Sequence, residues 1–137
     1  PAPAKAIRAG FEPLYWDAIR RTIKREMNDL GGAVARYLDK KQPEAFTLWV
    51  NKFYQSDHPA FMRRQLDPVI LAEQRVLGLE HPEFLTDFTE LYCQRRRSIV
   101  ENALDAERPA EVLALAIEQW ETELPEQLFS ALFTEAL

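Results

Sequence analysis

Proline placement is the strongest constraint on this chain. It holds nine prolines and only four glycines. Pro13, Pro43, Pro59, Pro68, Pro82, Pro109 and Pro125 each stand just before an apolar pattern with helical spacing. Proline suits the first turn of a helix, because the N–H it lacks has no intrahelical partner there and its φ is already set. Pro-Glu at 43–44, 82–83 and 125–126 adds a carboxylate at the positive end of the helix dipole. These signals read as helix starts.

Between them the 3.6-residue period is clear. Ile19, Ile23, Met27, Leu30, Val34 and Leu38 form one stripe, with a kink or break expected at Gly31-Gly32. Phe46, Trp49, Val50 and Phe53 line a second helix. Phe61, Met62, Leu66, Val69 and Ile70 line a third that must kink or restart at Asp67-Pro68. Phe84, Phe88, Leu91, Tyr92 and Ile99 mark a fourth. Leu113, Ala116, Ile117 and Trp120 mark a fifth, and Leu128, Phe129, Leu132 and Phe133 a short last one. No alternating run or Asn-Gly hairpin signal is present. The expectation is an all-α, bundle-like domain of about six helices over 11–137. The Ala/Pro-rich residues 1–10 read as a flexible tether or linker.

Charge is unevenly spread. Residues 1–41 hold nine Lys/Arg against five Asp/Glu, and the remainder hold eight against seventeen, for a net −5. Such a balance argues against a dedicated nucleic-acid binder, which needs a strongly basic face. One local basic face stands out on the first helix: Arg20, Arg21, Lys24 and Arg25 are candidates for polyanion contact. Arg95, Arg96 and Arg97 spread around a later helix and read as solvated stems. No apolar run approaches the roughly 20 residues that span a bilayer, so no membrane partner is expected.

FYQSDHP (53–59) resembles a catalytic cluster at first sight. A nucleophile reading needs Ser56, His58 and an acid in register, and residues two apart on a helix do not face one another. Capping explains each residue type directly: Ser56 or Asp57 caps a helix that has His58 and Pro59 in its first turn. A metal site fares worse, since His81 lies in a separate helix start and Cys93 is the only cysteine. The carboxylates Glu26, Asp29, Glu73, Glu80, Glu83, Asp87 and Glu90 read as solvated or paired with neighbours such as Arg25 or Arg95. No catalytic residue, metal, cofactor or small-molecule substrate is assigned. A small hydrolase using His58, Asp57 and nearby carboxylates remains a further alternative.

Four stretches together resemble the C-terminal extension of tailed-bacteriophage portal proteins. They are AIRRTIKRE (18–26), PEAFTLWVNKFYQSDHPAFMRRQLDPVILA (43–72), LYCQRRRSIV (91–100) and VLALAIEQWETELPEQL (112–128). Arg21, Arg25 and Glu26 match the family's basic helix, and Ala45, Phe46, Trp49, Phe53 and Tyr54 its aromatic helix. His58 matches the histidine that follows, and Trp120 and Glu121 the late Trp-Glu before a proline. The FY-to-His gap is a residue longer than the family's pattern, and the family's ring-forming core is not in this sequence. The resemblance implies a piece of a longer chain, in keeping with a start at Pro1 and not Met. It implies a non-enzymatic helical module of a ring at the capsid vertex, through which DNA is packaged and ejected. Its partners would be other portal subunits, capsid or scaffold proteins and packaged DNA. Its location would be the virion, and the host cytoplasm during assembly.

Overall fold

The computed structural model describes residues 2–79 and 84–135. Every element within them is helical: α1 (Ala2–Ala33), α2 (Pro43–Lys52), α3 (His58–Leu77), α4 (Phe84–Ala103) and α5 (Pro109–Glu135). Two π-helical turns, Val34–Leu38 and Phe53–Asp57, extend α1 and join α2 to α3. Because α2, its π turn and α3 are continuous, the described residues form four helical rods and not about six. The rods pack as a bundle, α1 against α3 and α5, and α4 against α3 and α5.

The discrepancy in helix number lies in the prolines. Pro43 and Pro109 do open helices. Pro13, Pro68 and Pro125, however, sit inside α1, α3 and α5. Each forfeits one backbone hydrogen bond, a cost of about 3 kcal/mol in a helix interior. Pro13 and Pro68 are exposed, so the carbonyl each frees can turn to water, and both flanks of each helix remain packed on the core. Packing therefore carries the helix through the proline. Pro82 and His81 lie outside the described residues.

The remaining boundaries follow ordinary stop chemistry. Gly78 takes a left-handed conformation (φ 70°), and the Leu79 N–H returns to the Gln74 carbonyl at 2.9 Å, closing α3. Lys41 does the same work after the first rod at φ 59°, with Gln42 N–H bonded to the Tyr37 carbonyl at 2.8 Å. Gly31-Gly32 does not break α1; the ladder changes to π register only from Val34. The expected tether is likewise helix from Ala2 onward, and Arg8 within it is tied to α3.

Tyr15, Ile19, Ile23, Met27 and Leu30 of α1 meet Met62, Leu66 and Ile70 of α3, with Leu113, Leu124, Leu128 and Leu132 contributed by α5. Apart from Tyr15 and Leu124 these belong to the apolar stripes read from the sequence, whereas Leu91 and Ile99 of the fourth stripe are exposed. Among the described residues six polar side chains share the same interior: Thr22, Glu26, His58, Glu73, Thr89 and Arg96 are almost fully sealed from solvent.

Candidate functional site

Glu26 is the centre of the buried polar chemistry. It follows Ile23 by three positions and precedes Leu30 by four, so the α1 core face carries its carboxylate inward. Oε2 accepts hydrogen bonds from the Tyr54 hydroxyl at 2.8 Å and from Arg96 Nε at 2.8 Å. Oε1 accepts one from the Tyr92 hydroxyl at 2.6 Å. His58 Nε2 stands 3.4 Å from Oε1, within ion-pair reach but in poorer geometry than the other donors, and its Nδ1 makes no hydrogen bond. Below the Arg96 guanidinium lies the Trp120 ring, 4.1 Å away at its centroid. Residues from all four rods thus meet at one carboxylate.

The π turn makes this convergence possible. In an α-helix Tyr54 and His58 would be the stacked pair, one turn apart. The wider turn places Phe53 and His58, five residues apart, ring over ring at 5.0 Å with planes 19° apart, while Tyr54 still reaches Glu26. The ladder continues from Phe53 to Trp49 at 4.6 Å and from His58 to Phe61 at 6.5 Å. Pro59 supplies a reason for a wide turn here. It has no N–H to give the α ladder, and its ring would crowd the carbonyl four residues back. The His58 N–H instead bonds the Phe53 carbonyl.

Electrostatics fix the protonation pattern. Burial alone would raise the Glu26 pKa, but His58, Arg96 and Tyr92 together outweigh it and hold the carboxyl at about 2. Burial, followed by the Glu26 charge, pushes the Tyr54 and Tyr92 hydroxyls well above their ordinary value. Both therefore remain protonated donors. Burial opposes the Arg96 charge, yet Glu26 overcomes it and raises the arginine further. Cys93, packed on Met62 with their sulfurs 3.8 Å apart, is driven upward by burial and then by Glu26, and stays a thiol. Every strong donor around Glu26 is thus a fixed structural partner, and the carboxylate has no spare lone pair facing solvent.

Glu73 repeats the arrangement near the other end of α1. Arg8 grips it in a fork, Nε to Oε2 at 3.1 Å and a terminal nitrogen to Oε1 at 3.0 Å. Tyr15 donates to Oε1 at 2.8 Å, and Phe133 lies 4.7 Å beneath the guanidinium. The solvated reading of Glu26 and Glu73 is therefore overturned: both are buried acceptors. Arg96 is likewise a core residue and not a solvated stem.

The junction residues separate. Ser56 and Asp57 are exposed and neither makes a capping hydrogen bond; Asp57 has helical φ and ψ. The cap expected at this position is unnecessary because the rod does not start there. His58 and Pro59 are buried. Asp57 lies outside and the His58 imidazole is sealed within, so this pair is not brought together; the carboxylate beside His58 is Glu26.

The basic face also divides. Arg20 and Lys24 line a groove of about 310 Å³ between α1 and α5, opposite Glu121 and Pro125, and Arg20 pairs with Asp17 at 3.6 Å. Arg21 and Arg25 turn toward α3. Arg21 Nε donates to Gln65 at 2.6 Å, and Arg25 lies 4.3 Å over the Phe61 ring. Among the described residues no group of His, Cys, Asp and Glu is arranged to hold a metal ion, and no helix is long and apolar enough to cross a membrane.

Comparisons with protein-family models, curated proteins and solved structures find no match to this chain.

Proposed function

We propose that this chain is a structural and interaction module, serving a larger assembly as the C-terminal region of a tailed-phage portal protein serves its ring. The observation that supports the reading is where the resembling residues lie. Glu26, Phe53, Tyr54, His58 and Trp120, drawn from three separated stretches, all belong to one buried assembly around a single carboxylate. A motif made of such residues marks a packing arrangement, which is the kind of signature a non-catalytic module carries. Its partners on this reading are other portal subunits, capsid or scaffold proteins, and packaged DNA, at the capsid vertex of a virion.

The coding sequence upstream of residue 1 tests it. A portal-like core in the same reading frame is expected, and a ring visible by electron microscopy when the whole product is expressed. An unrelated upstream gene ending in a stop codon would overturn the reading.

DNA contact by Arg20, Arg21, Lys24 and Arg25 acting as one patch is less well supported. The four side chains point to two different seams, and Asp17 and Asp29 pair with two of them.

A further inference from the structure

The split of the basic face leaves an arginine set that no single stretch of sequence contains. On the α1–α3 seam, Arg25 lies 4.3 Å over one residue of α3, the half-buried Phe61. Arg64, one turn along α3, approaches the same ring at 6.0 Å. Arg21, one turn before Arg25, is anchored through Nε to Gln65 at 2.6 Å. Arg25 is anchored the same way, its Nε 3.3 Å from Asp29. In both cases Nε is used to hold the side chain, which leaves the terminal nitrogens for something else. An arginine steadied by an aromatic face and a polar anchor loses little rotamer freedom on binding.

We propose that this seam, with Arg21, Arg25 and Arg64 around Phe61, is the docking face for an acidic peptide segment of a partner protein. The proposal rests on the interaction-module reading and names the surface and the chemistry of its partner. Guanidinium forks match carboxylates with two parallel hydrogen bonds, and Phe61 between them offers apolar surface to the stem of a Glu or to an adjacent apolar side chain. Arginine and aromatic residues together are also the composition of interface anchors.

Charge decides between this occupant and nucleic acid. The net −5 of the chain repels either polyanion, and Asp29 offsets part of the Arg25 charge, so the attractive cationic surface is confined to a short stretch. A duplex presents phosphates along its whole length to that acidic molecule, whereas a short carboxylate segment needs only the local contact.

Fluorescence anisotropy with a labelled oligo-glutamate peptide at low ionic strength tests the proposal, with duplex DNA as the comparison ligand. Saturable peptide binding is expected. The combined variant Arg21→Ala, Arg25→Ala, Arg64→Ala should weaken it about tenfold or more, while Arg20→Ala with Lys24→Ala leaves it within about twofold. Amide chemical-shift changes in the unaltered protein should centre on Arg21, Arg25, Phe61, Arg64 and Gln65, a readout independent of how the variants fold. Absence of binding, equal losses in both variants, shifts centred elsewhere, or tighter binding of the duplex would each overturn it. The upstream reading frame is unaffected by any of these results, so the two readings can fail separately.

Discussion

Arg96 Nε meets Glu26 Oε2 at 2.8 Å across seventy residues of sequence, inside a core where both side chains are nearly sealed from water. A buried ion pair gains little over a well-packed apolar pair, because desolvating both charges offsets their attraction. Losing one partner is different. Arg96→Met leaves the Glu26 charge with two tyrosine donors and only the His58 imidazole, 3.4 Å from Oε1, in place of the permanent guanidinium charge. Chemical denaturation should show a loss of about 3–5 kcal/mol. The double variant Glu26→Gln, Arg96→Met should recover a large part of that, since no uncompensated charge remains.

The hydroxyl partners of Glu26 give a smaller and graded effect. Tyr54→Phe and Tyr92→Phe each remove one donor to an ionised acceptor while keeping the ring. Each should cost about 1.5–3 kcal/mol in the same denaturation experiment. Because they serve different oxygens of one carboxylate, the two losses should not add, and a double-mutant cycle reads the coupling directly.

Stability should also depend on pH through Glu26. Its folded pKa of about 2 lies below the ordinary value of 4.5, so the unfolded chain takes up the proton first as pH falls. The contribution is fully present above pH 4.5, declines below it, and is gone once pH has passed through the folded value of about 2. The shift corresponds to about 3 kcal/mol. Other carboxylates titrate over the same range, so the informative quantity is the difference between the unaltered protein and Glu26→Gln. That difference should shrink steadily as pH is lowered from 4.5 toward 2.

At the end of the first rod, Lys41 holds a left-handed conformation (φ 59°) that costs a residue with a Cβ about 1–2 kcal/mol. Lys41→Gly should relieve that strain, with part of the gain returned as backbone entropy. A rise in the thermal midpoint of a few degrees is expected by circular dichroism.

The two kinds of residue in this fold were unequally legible. The apolar stripes led to the right class and to most of the core, because burial of Ile19, Met27, Leu66 or Leu113 follows from period alone. Helix number did not follow, since Pro13, Pro68 and Pro125 carry the local signal of a helix start while long-range packing holds each helix intact through them. The buried carboxylates were hidden by the habit of reading charge as surface. A signal was nevertheless present. Glu26 lies between Ile23 and Leu30 on the core stripe, Glu73 follows Ile70 by three, and Arg96 falls between Cys93 and Val100. Opposite charges placed at core positions of different helices are a pairing pattern, though which carboxylate meets which arginine depends on tertiary register. The π turn had no signal beyond Pro59, because its register is set by what the aromatic rings meet across the bundle.

Deleting Ser56 probes that register. Removing one residue from the π turn would return the segment to α spacing and rotate the flanking helix by about 100°. Either the α2 or the α3 face would then leave the core, and a loss of cooperative unfolding is expected by thermal melting.

Glu26 is an ionised carboxylate held at the middle of the fold by Tyr54, Tyr92, Arg96 and His58. Its side-chain carboxyl carbon, followed by NMR as pH is lowered, tests this most directly. The resonance should stay at the ionised position well below pH 4.5 for as long as the folded signals persist. A midpoint at or above 4.5 would contradict the claim.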